Sequence, residues 1–441
     1  MKKNELVTLS IEDLTEEGLG VGRADGLAVF VKDTVPLDRV TASIVKVKKN
    51  YAFGRALEIL EKSPDRTEAL CPVSRACGGC QIQEMRYDAQ LRFKERKVRN
   101  NLSRIGGFQV RSKETSPTEE ALSVLPILGM EDPWHYRNKA QFPVGMDKSG
   151  KIVAGFYAGR THSIIQTDDC AIGISENEPV MRALLSYMKE EHVSPYEEGS
   201  GEGLIRHVMI RCGFQTGQIM VVIVANAFSL PSEERLISRL RELTFEGEKG
   251  EAKEKTARRR IVSVILNTNT ERTNVILGKK NRVLFGEETI EERIGNLRFH
   301  ISPLSFFQVN PVQTKVLYDT VLSFAALSGE ETVWDLYCHI GTISLCLANQ
   351  ARKVYGIEVI EEAVEDARKN AALNRIDHAV FLAGKAEELF PELVNAGEKA
   401  DATIVDPPRK GLEASLIDAI LRVGPERIDY RAATARPLPG T

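Results

Sequence analysis

A multidomain α+β and α/β architecture is predicted, with an N-terminal OB-like β-barrel, a central domain bearing a cysteine cluster and a C-terminal Rossmann-like domain. Three observations predict it. Short alternating apolar stretches split by glycine turns fill residues 4–62. From Pro311 onward, helical patterns alternate with apolar strand cores, the mark of a parallel sheet. The chain has 441 residues and 42% hydrophobic content, room for about two to four domains with cores of their own.

Composition removes several classes. No run of 18 apolar residues occurs, so no membrane-spanning helix is expected. The start, MKKNELVTLSIEDL, has no apolar signal core, which points to the cytoplasm. In that compartment seven cysteines do not form a disulfide framework. With 59 Lys+Arg against 62 Asp+Glu the net charge is −3, so any nucleic-acid affinity must come from local patches.

Within the barrel, Leu6–Leu14, Leu27–Val31, Val40–Val47 and Ala52–Leu60 are the strand candidates, with turns at Gly18, Gly20, Gly22 and Asp25-Gly26. The stretch VKVKKNYAFGRA sets Lys46, Lys48 and Lys49 beside Tyr51, Phe53 and Arg55. Such interleaving either tracks phosphates and stacks bases, or is a solvated strand edge with charged gatekeepers. Residues 86–106 read as a basic helix with an apolar stripe of Leu91, Val98, Leu102 and Ile105. Strands are expected at Gln141–Val144, Ile152–Tyr157, His207–Cys212 and Ile219–Ala225, and a long charged exposed loop at 246–260.

Cys71, Cys77 and Cys80 fall within ten residues, turned by Gly78-Gly79, and Cys170 is the natural fourth thiol. Soft sulfur ligands suit tetrahedral zinc or an iron–sulfur cluster. With only one close C-x2-C pair, the spacing fits a cubane corner better than a zinc knuckle. Cys212, Cys338 and Cys346 lie in apolar runs and read as packing residues.

TVWDLYCHIGTISLCLA (332–348) is a strand, a glycine turn and a helix. KVYGIE (353–358) is a second strand, ending in an acid 23 residues after Asp335. Such a unit holds an adenosine cofactor at the strand C-termini, the second acid on the ribose hydroxyls. G-x-G-x-x-G is absent, and the acid Asp335 with the lone turn glycine Gly341 favours S-adenosylmethionine over NAD. In ATIVDPPRKGL (402–412) a strand ends in Asp406, and two prolines stiffen the loop where a substrate base would lie. In SFFQVN (305–310), Gln308 is either a cofactor contact or part of a helix-capping turn.

Together these motifs resemble the RNA uracil-5-methyltransferase family, in its TRAM-containing, iron–sulfur 23S ribosomal RNA branch. The resemblance covers residues 4 to about 428. It implies a [4Fe–4S] cluster on Cys71, Cys77, Cys80 and Cys170, and S-adenosyl-L-methionine contacts at Gln308, Tyr337, Glu358 and Asp406. The implied organisation is a TRAM barrel over 4–62, a central iron–sulfur domain over 63–85 and 116–285, and a methyltransferase domain over 86–115 and 286–430. The implied substrate is a uridine of 23S ribosomal RNA, with transfer RNA or non-catalytic RNA binding as alternatives. No membrane partner is implied, and a monomer is expected. In this family a cysteine thiolate adds to carbon 6 of a flipped uracil, carbon 5 takes the methyl group, and a glutamate removes the carbon 5 proton.

The sequence departs from the family pattern twice. His339 stands where the family has glycine, so an imidazole crowds the cofactor or demands a left-handed backbone angle. The family's S-C-N-P-A-T-L-A-R-D nucleophile segment is not found, and the glutamate base would lie beyond Thr441, so no catalytic residue is assigned. Residues 431–441 read as an aberrant tail. Back-translated with allowed codons and read from the third base, they give C-C-N-R-A-T-L-A-R-D, which suggests a frameshift. Without the family's further strands after DPPR, an apolar sheet edge is expected to be exposed.

Overall fold

The computed structural model describes residues 1–111, 121–167, 169–245, 258–408 and 411–432. Residues 246–257 of the expected charged loop, Arg409 and Lys410, and residues 433–441 of the expected aberrant tail lie outside the described residues. Two compact units emerge. One comprises 1–100, 109–133 and 153–171; the other comprises 101–108, 134–152 and 172–441.

In the first unit β1 (Leu6–Leu14), β2 (Gly20–Ala24), β3 (Leu27–Lys32), β4 (Arg39–Val47) and β5 (Tyr51–Glu61) close into a barrel in the order β1-β2-β3-β5-β4. Period-two alternation turns Leu9, Ile11, Val29, Val31, Val40, Ala42, Ile44 and Ala52 into its core. Closure pairs the strand edges within the barrel, so fewer unpaired amides are left for other chains. Asp38, fully buried, accepts from Val35 N and Ser63 N and pairs with Arg66 at 2.5 Å, anchoring the segment that leaves the barrel. Helix α1 (Tyr87–Arg104) follows as expected of 86–106, but it buries Ala89 and Phe93 rather than the expected stripe, whose Val98 and Ile105 are exposed.

Strand β6 (Lys139–Met146) precedes the hairpin of β7 (Ile152–Tyr157) and β8 (Ile164–Gln166). Then come α2 (Asn177–Glu190), β9 (Ile205–Cys212), β10 (Gln218–Ala225), α3 (Glu233–Arg241), β11 (Arg260–Thr268) and β12 (Lys280–Gly286). In the second unit these strands run β12-β11-β10-β9-β6, and β9 and β10 are buried almost throughout. Strands β13 (Ile290–Ile294) and β14 (Leu297–Ile301) form a separate ribbon.

The rest of the second unit is an alternating α/β run. It comprises α4 (Pro311–Ala325), β15 (Thr332–Leu336), α5 (Thr342–Ala348), β16 (Lys353–Glu358), α6 (Glu361–Leu373), β17 (Ala379–Ala383), α7 (Ala386–Asn395), β18 (Ala402–Val405), α8 (Ala414–Val423) and β19 (Arg427–Tyr430). All five of these strands are parallel, in the order β17-β16-β15-β18-β19. The order reverses at β15, the switch point where an open α/β sheet leaves a crevice at its strand C-termini. Both faces are covered. Val333, Val354, Phe381 and Ile404 join one core, and Trp334, Leu336, Tyr355 and Ile357 join the other. Trp334 stacks on Tyr355 at 4.4 Å, meets Phe390 edge-on at 5.1 Å, and donates its indole N–H to Lys399 O. Among the described residues β19 is an edge strand, with Ile428 49% exposed.

The expected fold class needs one correction. The barrel and the Rossmann-like sheet are present, but a cluster-bearing central domain is not. Among the described residues, no group of three or more His, Cys, Asp or Glu side chains is placed to hold a metal ion. Cys71, Cys77, Cys80 and Cys170 all lie half-buried in the first unit as free thiols. Burial first, then the neighbouring Cys170, Cys77 and Cys71, push the Cys80 thiol up to about 11. Cys77 Sγ accepts from Gly79 N at 3.3 Å, so the Gly78-Gly79 turn satisfies its own sulfur. The described residues thus do not support the expected [4Fe–4S] cluster on Cys71, Cys77, Cys80 and Cys170, nor the iron–sulfur branch.

Candidate cofactor cleft

A cleft of about 1430 Å³ opens at the C-terminal ends of β15, β16 and β18. It brings together Gln308, Tyr337, Glu358 and Asp406, the four residues to which the sequence resemblance assigned the cofactor. Parallel register is what aligns them. Leu336 lies opposite both Ile357 and Val405, so the next residue on each strand, Tyr337, Glu358 and Asp406, emerges at one level. The backbone fixes the level further, through Tyr337 N to Ile357 O at 2.9 Å and Asp406 N to Leu336 O at 3.3 Å.

Gln308 arrives from a loop that two buried polar groups hold in place. Asn138 donates its side-chain amide to Gln308 O at 2.9 Å, and its backbone N–H to Val309 O at 3.0 Å. Arg211 donates to Pro303 O and Ser305 O. Burial lowers this guanidinium to about 10, and the carbonyls it serves compensate. Asn310 caps α4, accepting from Gln313 N at 3.0 Å, with Pro311 opening the first turn. Asn310 thus caps the helix, and Gln308 lines the cleft.

The turn after β15 is backbone-strained. Tyr337, His339 and Gly341 have φ of 74°, 52° and 78°, a left-handed region that only the glycine adopts freely. A Cβ at Gly341 would also stand 2.9 Å from the Phe381 ring. Glu358, nearly buried, answers this turn. Its Oε2 accepts from His339 N at 3.2 Å and its Oε1 from Ile360 N at 3.0 Å. The His339 ring lies 4.6 Å from the Phe306 ring, with Nδ1 3.3 Å from Glu358 Oε2. Tyr337 donates its hydroxyl to Glu387 Oε1 at 2.9 Å, at the start of α7.

Asp406 pairs with Arg431 at 2.9 Å. Burial raises its carboxyl, against the lowering pull of Arg431 and His339. Arg431 also lies over the Tyr318 ring at 5.5 Å, and Tyr318 bonds Thr342 at 2.8 Å through its hydroxyl. Asp429 Oδ2 and Arg431 Nε are buried at the cleft wall without a protein partner. Arg431, Phe306 and Glu387 were missed from sequence. Phe306 had a signal in its adjacency to Gln308, whereas the other two reach the cleft only through long-range packing.

Asp335, the acid that with Gly341 pointed to S-adenosylmethionine, does not line the cleft. It is fully buried and accepts from Ser344 Oγ at 2.5 Å. Burial pushes its carboxyl up to about 7, Ser344 opposing and Asp406 adding. A carboxyl raised in the folded state contributes stability that is complete below its unfolded value near 4 and lost as pH rises through about 7. Asp335→Asn, neutral at every pH, is expected to flatten the fall in Tm between about pH 4 and pH 7. At about 1.4 kcal/mol per pKa unit the difference is on the order of a few kcal/mol. Scanning calorimetry of both proteins checks it; parallel pH profiles would refute the assignment.

Cys338 and Cys346 are buried beside the cleft rather than in it. Burial drives the Cys338 thiol well above its ordinary value and the Cys346 thiol to about 12. Neither is a ready thiolate.

A TRAM-type barrel on one unit and a parallel sheet with a switch-point cleft on the other define a methyltransferase of the RNA-modifying kind. Family models agree: one described as a TRAM domain matches residues 2–57, and one described as a methyltransferase domain matches residues 327–422. An uncharacterized RNA methyltransferase of Halalkalibacterium halodurans is 46% identical over 430 residues, 98% of this chain and 88% of that protein. One from Clostridium tetani is 43% identical over the same shares. The chain belongs to this RNA methyltransferase family. Among solved structures, the Pyrococcus abyssi tRNA (uracil-54, C5)-methyltransferase, in complex with S-adenosyl-L-homocysteine, superposes with a TM-score of 0.73 at 25% identity. It covers 97% of this chain and 91% of that one. Among the described residues no helix is long and apolar enough to cross a membrane.

Proposed function

We propose that this chain is built for S-adenosylmethionine-dependent methylation of uracil at carbon 5 in RNA, with Gln308, Tyr337, Glu358 and Asp406 as its cofactor contacts. The observation that carries the reading is the convergence of those four side chains in one cleft at the switch point. The residues fit the group. Glu358 offers carboxylate lone pairs beyond its two backbone bonds for a ribose diol. The cleft wall at Tyr337 and Phe306 is aromatic, which favours a sulfonium cation. When bound, the cofactor would supply an electrophilic methyl group.

Transfer RNA is the favoured substrate class. The solved neighbour that matches nearly the whole chain acts on tRNA. The 23S ribosomal RNA expectation rested on the iron–sulfur branch, whose cluster does not fit the described residues. Comparing 5-methyluridine in RNA from cells with and without the intact gene tests both levels. Loss from tRNA is expected; loss from 23S ribosomal RNA alone would reassign the substrate, and no loss from either would overturn uracil methylation. Titration calorimetry with S-adenosylhomocysteine tests the cleft independently, and one site per chain is expected.

A further inference from the structure

The cleft is larger than one cofactor needs. Single-ligand pockets span about 300–1,000 Å³, against about 1430 Å³ here. Sheet order accounts for the surplus. Glu358 ends β16 and Arg431 follows β19, with β15 and β18 between them. At about 4.8 Å per strand the two residues leave the sheet roughly 14 Å apart. The arm of the cleft towards β19 is walled by Leu317, Val321 and Phe324 of α4 and by Tyr430. Phe324 is 55% exposed and Tyr430 37%. Apolar and aromatic walls with few polar groups suit a flat ring.

Arg431 is the cation of this arm. Its backbone N–H donates to Val405 O at 2.8 Å, which ties it to the end of β18. Its side chain is only 8% exposed, and Asp406 Oδ2 takes one N–H of Nη1 at 2.9 Å. A guanidinium donates from several N–H groups and accepts nothing. Among the described residues Asp406 is its only side-chain hydrogen-bond partner, and Nε is buried with none. Spare donors on a nearly buried cation cost free energy that an acceptor entering the cleft would recover.

We propose that Arg431, aimed by Asp406, donates to the carbonyl oxygen on carbon 4 of the target base and so selects uracil over cytosine. The proposal rests on the uracil reading above and adds the residue that reads the base. Carbon 5, the methyl acceptor in that reading, is bonded to carbon 4. A base whose carbon 5 faces the cofactor therefore brings its carbon 4 substituent into the cleft as well. Uracil carries a carbonyl acceptor there and cytosine an amino donor. A group that only donates pairs with the first and meets the second donor to donor.

Fluorescence anisotropy of the full chain saturated with S-adenosylhomocysteine tests it, with a 12-nucleotide oligouridine and an oligocytidine of equal length. Wild type is expected to bind oligouridine more tightly, by roughly 10- to 150-fold for one charge-assisted hydrogen bond. Arg431→Met keeps a long unbranched side chain and removes the donors. It is expected to bring the two affinities together, chiefly by weakening oligouridine. An oligomer of 2-pyrimidinone ribonucleosides, which lack the carbon 4 oxygen, probes the same contact without altering the protein. Wild type is expected to bind it as weakly as oligocytidine. Equal wild-type affinity for oligouridine and oligocytidine, or a preference that survives in Arg431→Met, would overturn the proposal and leave the cofactor reading standing. So would a 2-pyrimidinone oligomer as tight as oligouridine. Tighter binding of both natural oligomers by Arg431→Met would overturn it too, because the arginine would then fill the seat of the base. A wild-type chain that binds S-adenosylhomocysteine but none of the oligomers would overturn the RNA reading along with it.

Discussion

Replacing Glu358 with alanine is expected to weaken S-adenosylhomocysteine binding about 10- to 150-fold, because a charge-assisted hydrogen bond is worth roughly 1.5–3 kcal/mol. The carboxylate sits at the end of β16, nearly buried, and already accepts from His339 N and Ile360 N. Those two bonds hold the turn after β15 and the start of α6, so the alanine variant also frees two backbone donors. Glu358→Gln separates the roles. The amide oxygen still accepts one backbone N–H, but the charge that favours a ribose diol is gone, so affinity falls while Tm changes less than in the alanine variant. Calorimetric titration together with thermal melts distinguishes the two. Wild-type affinity in Glu358→Gln would mean that the ribose is held elsewhere.

What the sequence made legible follows from where information is local. Tyr337, Glu358 and Asp406 each end a short apolar run, and three parallel strands in register must bring such ends together. The strand pattern put Glu358 and Asp406 at strand ends, the family resemblance named Tyr337, and the parallel register brings the three to one level. The Arg431–Asp406 pair spans 25 residues, the Asn138–Gln308 bond spans 170, and Arg211 reaches Ser305 across 94. No short pattern encodes such contacts. Asp335 shows a different limit: the pattern gives its position in the strand, but not which way its side chain turns. Val333 and Leu336 are buried on either side of it, and Ser344 of α5 supplies an internal partner, so the acid serves the helix–strand packing. The cysteines show a third. The raised Cys80 thiol reflects burial first, then the neighbouring Cys170, Cys77 and Cys71, and no linear pattern carries burial.

His339→Gly is expected to do the opposite of Glu358→Ala and tighten S-adenosylhomocysteine binding, because it clears an imidazole from the cleft wall. Two separate costs converge on this residue. Its backbone holds φ at 52°, which a side chain tolerates poorly and glycine adopts without penalty. Its imidazole also stands 3.3 Å from Glu358 Oε2 and 4.6 Å from the Phe306 ring, inside the cleft wall that the cofactor's ribose would share. His339→Ala divides the two. Alanine removes the imidazole but keeps the left-handed strain, so it should gain most of the affinity and little of the stability. Glycine should gain affinity without losing Tm, since the relieved strain offsets the greater freedom of its unfolded chain. Titration calorimetry and melting curves on the three proteins resolve the two contributions. If both variants bind S-adenosylhomocysteine more weakly than the parent, the imidazole is a productive wall of the site and its contact with Glu358 helps to hold the cofactor.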